Sequence, residues 1–219
     1  MRVPLLIASA LLLMGHSVNA QQTKTIAINI DGTKINVPLP GDLVPSKSEL
    51  ETMSAFMTKN TPGNKIHEIF AAKGSTEESY LKEGLRRNAD VQTVKSLSNK
   101  MTQQVFTGVQ DLLTKQFDQL MKDVLKEINE DDDTVKTINK QDSGPFIEKD
   151  DRYSYLFFSS IKGTDGRVER ASAASICFVK GNMVMLNVHS NLGSKKDVEW
   201  VKKTAKDWLE ATLKANGDD

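Results

Sequence analysis

The side chains able to do chemistry are few, and their spacing suits little of it. The single thiol, Cys177, precedes His189 in the late part of the chain, and a thiolate beside an imidazole makes a nucleophile. Gly181-Asn182, however, reads as the two-residue loop of a hairpin. That register pairs Cys177 with Leu186, putting the thiol on a face with Ser175, Val179, Val184, Leu186 and Val188, while Ile176, Phe178, Met185, Asn187 and His189 take the other. The expectation is a buried, inert cysteine. His67 and His189 form no His-x-x-x-His pair and have no flanking carboxylate to complete a metal site, so both are expected as ordinary strand-end or surface histidines. Asp131-Asp132-Asp133 lacks the alternating ligands and central glycine of a calcium loop and reads as a solvated helix end. Ser159, Ser160, Ser172 and Ser175 sit in strands without a Gly-x-Ser-x-Gly elbow, and no Lys-Ser/Thr follows Gly163-Thr164-Asp165-Gly166 to make a phosphate loop. The residues therefore predict no catalytic set, no cofactor and no metal.

One apolar surface has more to offer. Met101, Val105, Phe106, Val109, Leu113, Phe117 and Met121 share a helical face whose methionines and phenylalanines suit a protein partner or an apolar ligand. The competing expectation is that this stripe packs on a sheet, as amphipathic helices ordinarily do.

The elements that position these residues can be read from periodicity. Thr25 to Ile30, the turn Asp31-Gly32 and Lys34 to Leu39 predict an opening β-hairpin. Ser46, with Glu49 three residues on, predicts the cap of a short helix through Leu50, Met53, Phe56 and Met57, ended by Thr61-Pro62-Gly63. Lys65 to Ala72 follows as a strand. From Val91 to Ile128 the apolar residues recur every three or four positions, and one straight helix of that length would run about 57 Å, so an interruption is expected before or near Gly108. Thr134 to Asn139, Tyr153 to Ile161, Arg167 to Lys180 and Met183 to His189 predict further strands, the last three an antiparallel meander. Ser194 to Ala215 completes the chain as an amphipathic helix. Both faces of the meander are substantially apolar and need covering layers. The expected fold is α+β: an antiparallel β-sheet with helices on both faces, an α/β/α sandwich with a long central helical region and a C-terminal amphipathic helix.

The start of the chain predicts where this sandwich works. Arg2, the apolar run Leu5 to Met14, and Val18-Asn19-Ala20 before Gln21-Gln22 have the form of a signal peptide, 1–20, whose apolar run is too short to span a bilayer. The expected mature product, 21–219, is a single domain of ordinary size. With 29 basic and 29 acidic side chains over the whole chain, no concentrated basic surface argues for nucleic acid. One cysteine permits no intrachain disulfide. The absence of an Asn-x-Ser/Thr sequon and of a cysteine just after the apolar run favours a soluble periplasmic protein, with an extracellular destination as the alternative.

The hairpin ending in Val37-Pro38-Leu39-Pro40-Gly41, the Asn64 to Phe70 strand after a short helix, the late meander and the helix bearing Trp200 and Trp208 together resemble the superfamily that joins the photosystem II extrinsic protein PsbP and the bacterial DcrB-like exported proteins. That resemblance covers most of the mature chain. It implies an α/β/α sandwich used as a non-catalytic binding or assembly module, and transfers no functional residue. The expected function is accordingly a non-enzymatic binding or assembly protein of the bacterial envelope, with an envelope protein as partner. The alternatives are a carrier of an apolar ligand such as a lipid and an enzyme with a dispersed site using His67 or His189.

Overall fold

The computed structural model describes residues 24–83, 85–95, 101–112, 115, 143–149, 151–163 and 166–217. The signal-like segment, the acidic triplet and the strand expected over Thr134 to Asn139 lie outside the described residues.

The opening hairpin forms as its alternation requires. β1 (Thr25–Ile30) and β2 (Thr33–Pro38) pair antiparallel around Asp31 and Gly32, both at positive φ, and the Asn29 side chain accepts a hydrogen bond from Gly32 N at 2.8 Å. Positive φ at both central residues is the type I′ geometry that matches strand twist. β3 (Val44–Pro45) is a two-residue edge, followed by α1 (Glu51–Asn60), β4 (Asn64–Ala71), α2 (Glu77–Glu83) and β5 (Arg87–Val94). Residues 103–112 form a helix, α3. β6 (Gly144–Lys149), β7 (Arg152–Gly163), β8 (Gly166–Val179), β9 (Asn182–Asn191) and the C-terminal helix α4 (Lys195–Asn216) complete the order. Strands β3 to β9 build one antiparallel sheet in the order β3-β4-β5-β9-β8-β7-β6.

The protein is thus an α+β sandwich with helices on both faces of a large antiparallel sheet. On one face α4 lays Val198, Val201, Ala205, Trp208, Leu209 and Leu213 against Phe70, Val91, Cys177, Val184, Leu186 and Val188. Its N-terminus is held by Asp197, whose carboxylate accepts from Ser194 N at 3.0 Å and Gly193 N at 3.2 Å, and Gly217 at φ 81 closes its C-terminus. The hairpin covers the outer side of α4: Trp208 Nε1 donates to Pro38 O at 2.7 Å, and Asn216 exchanges hydrogen bonds with the Asn36 backbone. On the opposite face α1 packs Leu50 and Met53 on Ile66, Ile69 and Ala71, while Met101 and Phe106 cover Ile176 and Met183. Among the described residues, no helix is long and apolar enough to cross a membrane.

Several sequence expectations need correction. The helical period read from Val91 begins too early, because Val91 and Val94 belong to β5, where Val91 points into the core and its polar neighbours point to the other face. Ser46 is not a helix cap: Ser46 N donates to Ile69 O at 2.7 Å and its hydroxyl to Val44 O, so the residue ties the β3 segment to β4 and the helix starts later, at Glu51. A bulge between Ile66 and Glu68 breaks the two-residue period of β4, and the slip brings Ile66, Ile69 and Ala71 to one side and Phe70 to the other. Gly144 and Pro145 open the edge strand β6, where proline is tolerated.

The late hairpin turns one residue earlier than expected. Lys180 and Gly181 are the central residues, both at positive φ (49° and 78°), and Cys177 pairs with Val184 instead of Leu186. Moving the turn by one residue shifts each pairing by two positions, which leaves every side chain on its predicted face. Cys177 is therefore fully buried with Val179, Val184, Leu186 and Val188, its Sγ 3.7 Å from Val184 O. A thiol reagent is expected to label it slowly until the protein unfolds. Cys177→Ser should cost about 1–3 kcal/mol in denaturant unfolding by burying a hydroxyl without a good partner. Fast labelling of the folded protein would contradict this placement.

Candidate functional site

Between the patches covered by α1 and α3 runs a stripe of polar side chains on an otherwise apolar sheet. β5 contributes Asn88, Asp90 and Gln92, β9 contributes Asn187 and His189, and β8 contributes Arg170 and Ser172. Cross-strand pairing sets them side by side, Asp90 facing Asn187 and His189 facing both Asn88 and Ser172. Alternate residues of each strand share one face, so three short polar alternations converge.

Asp90 is the hub. Its fully buried carboxylate accepts from Gln92 Nε2 at 2.6 Å and Asn187 Nδ2 at 2.8 Å through Oδ1, and lies 3.2 Å from His189 Nε2 through Oδ2. Asn64 Nδ2 in turn donates to Gln92 Oε1 at 2.8 Å. With the Nε2 proton directed at the carboxylate, His189 Nδ1 is left to accept from Ser172 Oγ, 2.8 Å away. The hydrogen bonds then run without a break from Asn64 through Gln92, Asp90 and His189 to Ser172.

The composition Ser172–His189–Asp90 is that of a nucleophile, its base and an orienting carboxylate. Its setting is different. Ser172 is 2% exposed and sits in mid-strand, paired on one side with Phe157 and on the other with His189. A nucleophilic serine needs its hydroxyl at an open cavity beside unspent N–H donors for an oxyanion, whereas this hydroxyl is enclosed within the ladder of three paired strands. The His189 side chain keeps 21% exposure, enough for solvent contact at the edge of the stripe. What the arrangement does well is pin β5, β9 and β8 in register.

The sequence-predicted residues fall out as follows. Cys177 and His189 lie on opposite faces, as expected. His67 and His189 are engaged separately, His67 Nε2 standing 2.9 Å from Thr93 Oγ1. His189 is not the ordinary strand-end histidine expected, since its ring joins Asp90 to Ser172 inside the sheet. Ser175 shares a 2.7 Å hydrogen bond with Ser154 on the core side of the sheet. Of the proposed apolar face, Met101 and Phe106 are buried on the sheet and Val109 packs beside them, with the Phe106 and Phe178 ring centroids 5.7 Å apart. Packing on Ile176 and Met183 thus takes these three residues out of a ligand face, Met101 from the segment just before α3 and Phe106 and Val109 from the helix itself. Val105 is exposed, as is Leu112 one helical repeat further on, and Leu113, Phe117 and Met121 lie outside the described residues.

An open groove of about 800 Å³ lies along α1, lined by Lys47, Glu51, Ser54, Thr58, Lys59 and Glu68. None of its lining residues belongs to the Asp90 network. Lys47 Nζ donates to Ile66 O at 2.7 Å, which covers a carbonyl on the outer edge of β4 and blunts that edge against strand addition.

His67 supplies a pH dependence. Burial, followed by the positive charges of Lys65 and Lys47, lowers its pKa from 6.5 to about 4. Between those values the unfolded chain takes up a proton that the folded chain refuses, so this contribution removes stability as pH falls from 6.5 towards 4. Denaturant unfolding across that range should show a weaker acid loss in His67→Gln than in the wild type. Equal losses would place the effect elsewhere.

The fold and the stripe define a class, an antiparallel α+β sandwich whose sheet is cross-linked by a buried polar network. No family model and no curated protein matches the chain. Among solved structures it is similar to a mutant of the protein Mog1 at 8% identity, covering 89% of this chain and 93% of that one with a TM-score of 0.33, too distant a likeness to assign an activity.

Proposed function

We propose that this chain is an exported, non-enzymatic binding or assembly module of the bacterial envelope, acting through contact with an envelope protein. The observation that carries the non-enzymatic part is the enclosure of Ser172: the Ser–His–Asp constellation spends its hydrogen bonds holding three strands together. Export rests on the apolar run Leu5 to Met14 followed by Val18-Asn19-Ala20. The likeness of the hairpin, meander and Trp-bearing helix to the PsbP and DcrB-like proteins points the same way. Burial of Met101 and Phe106 on the sheet favours a protein partner over the carrier alternative, because a carrier needs such side chains to face an enclosed ligand space.

In vivo crosslinking in the native envelope, followed by recovery of the tagged chain, tests this reading. Repeated co-recovery of the same envelope protein, together with a chain that begins at Gln21 in the periplasmic fraction, is the expected result. Recovery of the protein alone at every crosslinker length, or retention of 1–20 on a cytoplasmic chain, would overturn it.

A further inference from the structure

At the end of the polar stripe towards α2, Arg170 lacks a direct ion-pair partner among the described residues. Its Nη2 donates to Asn88 Oδ1 and, at 3.5 Å, to Leu85 O, both uncharged acceptors. Among the described residues no carboxylate comes within ion-pair distance of it. The nearby Asp90 carboxylate is already shared by Gln92, Asn187 and His189. Two buried donors beside each other have no hydrogen-bond partner, Arg170 Nε and Asn88 Nδ2. A buried guanidinium is ordinarily paired, and a buried N–H left without an acceptor costs free energy, so both donors call for an anionic acceptor. Burial lowers the Arg170 pKa to about 10, with Tyr80 and Asp90 opposing the fall, so the side chain stays cationic at neutral pH.

We infer that Arg170 and Asn88 form a binding site for a carboxylate group, supplied by a small organic acid or by an acidic peptide side chain. The chemistry selects this anion. A guanidinium with no direct ion pair and two N–H donors without an acceptor match a singly charged group with two oxygens. A phosphate dianion would bring a second charge close to Asp90, on the same face of β5 as Asn88, and a third oxygen with no donor to meet it. Arg170 is partly exposed as a residue, while its Nε and the neighbouring Asn88 Nδ2 are buried. The site shares a sheet face with the Asp90 network but uses donors the network leaves idle, and it stands whether or not the proposed envelope partner is found.

Thermal unfolding of the full mature chain in sodium acetate, sodium phosphate and sodium chloride at matched ionic strength tests the assignment. Acetate should raise the wild-type Tm saturably, by about 3–6 °C when it stands at roughly ten times its Kd, relative to chloride. Asn88→Asp, which places a carboxylate beside the guanidinium, should abolish the acetate response, as should Arg170→Gln. If Arg170→Gln fails to fold, Asn88→Asp decides alone. A short peptide rich in Asp and Glu acting at much lower concentration than acetate would identify a peptide as the source, and equal potency per carboxylate a small acid. No acetate effect beyond chloride would mean that water alone satisfies the donors, and would overturn the site. So would an undiminished response in Asn88→Asp, or a stronger response to phosphate than to acetate.

Discussion

Asp90→Ala should lower the stability of the protein by about 3–5 kcal/mol, since three donors lose their common buried acceptor at about 1–3 kcal/mol each. The loss has identifiable sources. Gln92 Nε2, Asn187 Nδ2 and His189 Nε2 all lie within hydrogen-bond distance of this one carboxylate, and without it each is a buried or half-buried donor seeking a partner. Asp90→Asn keeps the shape but offers one acceptor oxygen and turns an N–H towards a donor, so it should fall between alanine and wild type. Ser172→Ala removes only the hydroxyl that faces His189 Nδ1, and about 1–3 kcal/mol is expected from that loss. Urea unfolding of the three variants checks the ranking. A Ser172→Ala protein of wild-type stability that has lost a measurable activity would instead make the serine a nucleophile and end the scaffold account.

This network was largely hidden in the sequence, for a physical reason. Strands buried on both faces are expected to be apolar, so Asn88, Asp90 and Gln92, alternating with Ala89 and Val91, look like the polar approach to a helix. Only cross-strand pairing makes the polar residues of β5, β8 and β9 satisfy one another, and pairing between distant segments leaves no local trace. A polar residue at every second position of three segments was the available signal. The meander was far more legible. Its aromatic and β-branched alternation located β7, β8 and β9 and sorted Cys177 from His189 correctly, because face assignment survives a turn misplaced by one residue. The turn itself was misplaced because Gly181-Asn182 fits a loop with glycine first, whereas the chain uses Lys180 in the left-handed region with glycine second. The C-terminal helix was readable almost to the residue, its stripe unbroken and its ends marked by Ser194 and Gly217.

Trp208 is where the three layers on the α4 side of the protein depend on one side chain, and Trp208→Ala should be the most destabilising single truncation outside the polar stripe. The indole is 2% exposed, meets Phe70 of β4 edge-on with centroids 5.4 Å apart, and donates through Nε1 to Pro38 O of the hairpin at 2.7 Å. Removing it opens a cavity between sheet, helix and hairpin, for which about 3–5 kcal/mol is typical, and deprives Pro38 O of its buried donor. For a domain of this size that corresponds to a fall in Tm of roughly 6–20 °C. Trp208→Phe separates the two contributions, since it retains most of the packing and loses only the hydrogen bond, at about 1 kcal/mol. Hydrogen exchange locates the effect: amides of the β1–β2 hairpin should lose protection in Trp208→Phe before those of β8 and β9 do, because the hairpin forms its own two-stranded sheet and is tied to α4 through Asn36 and Pro38. Uniform loss across hairpin and sheet would show that the hairpin unfolds with the core as a single unit, and that the Trp208 to Pro38 bond does not set its separate stability.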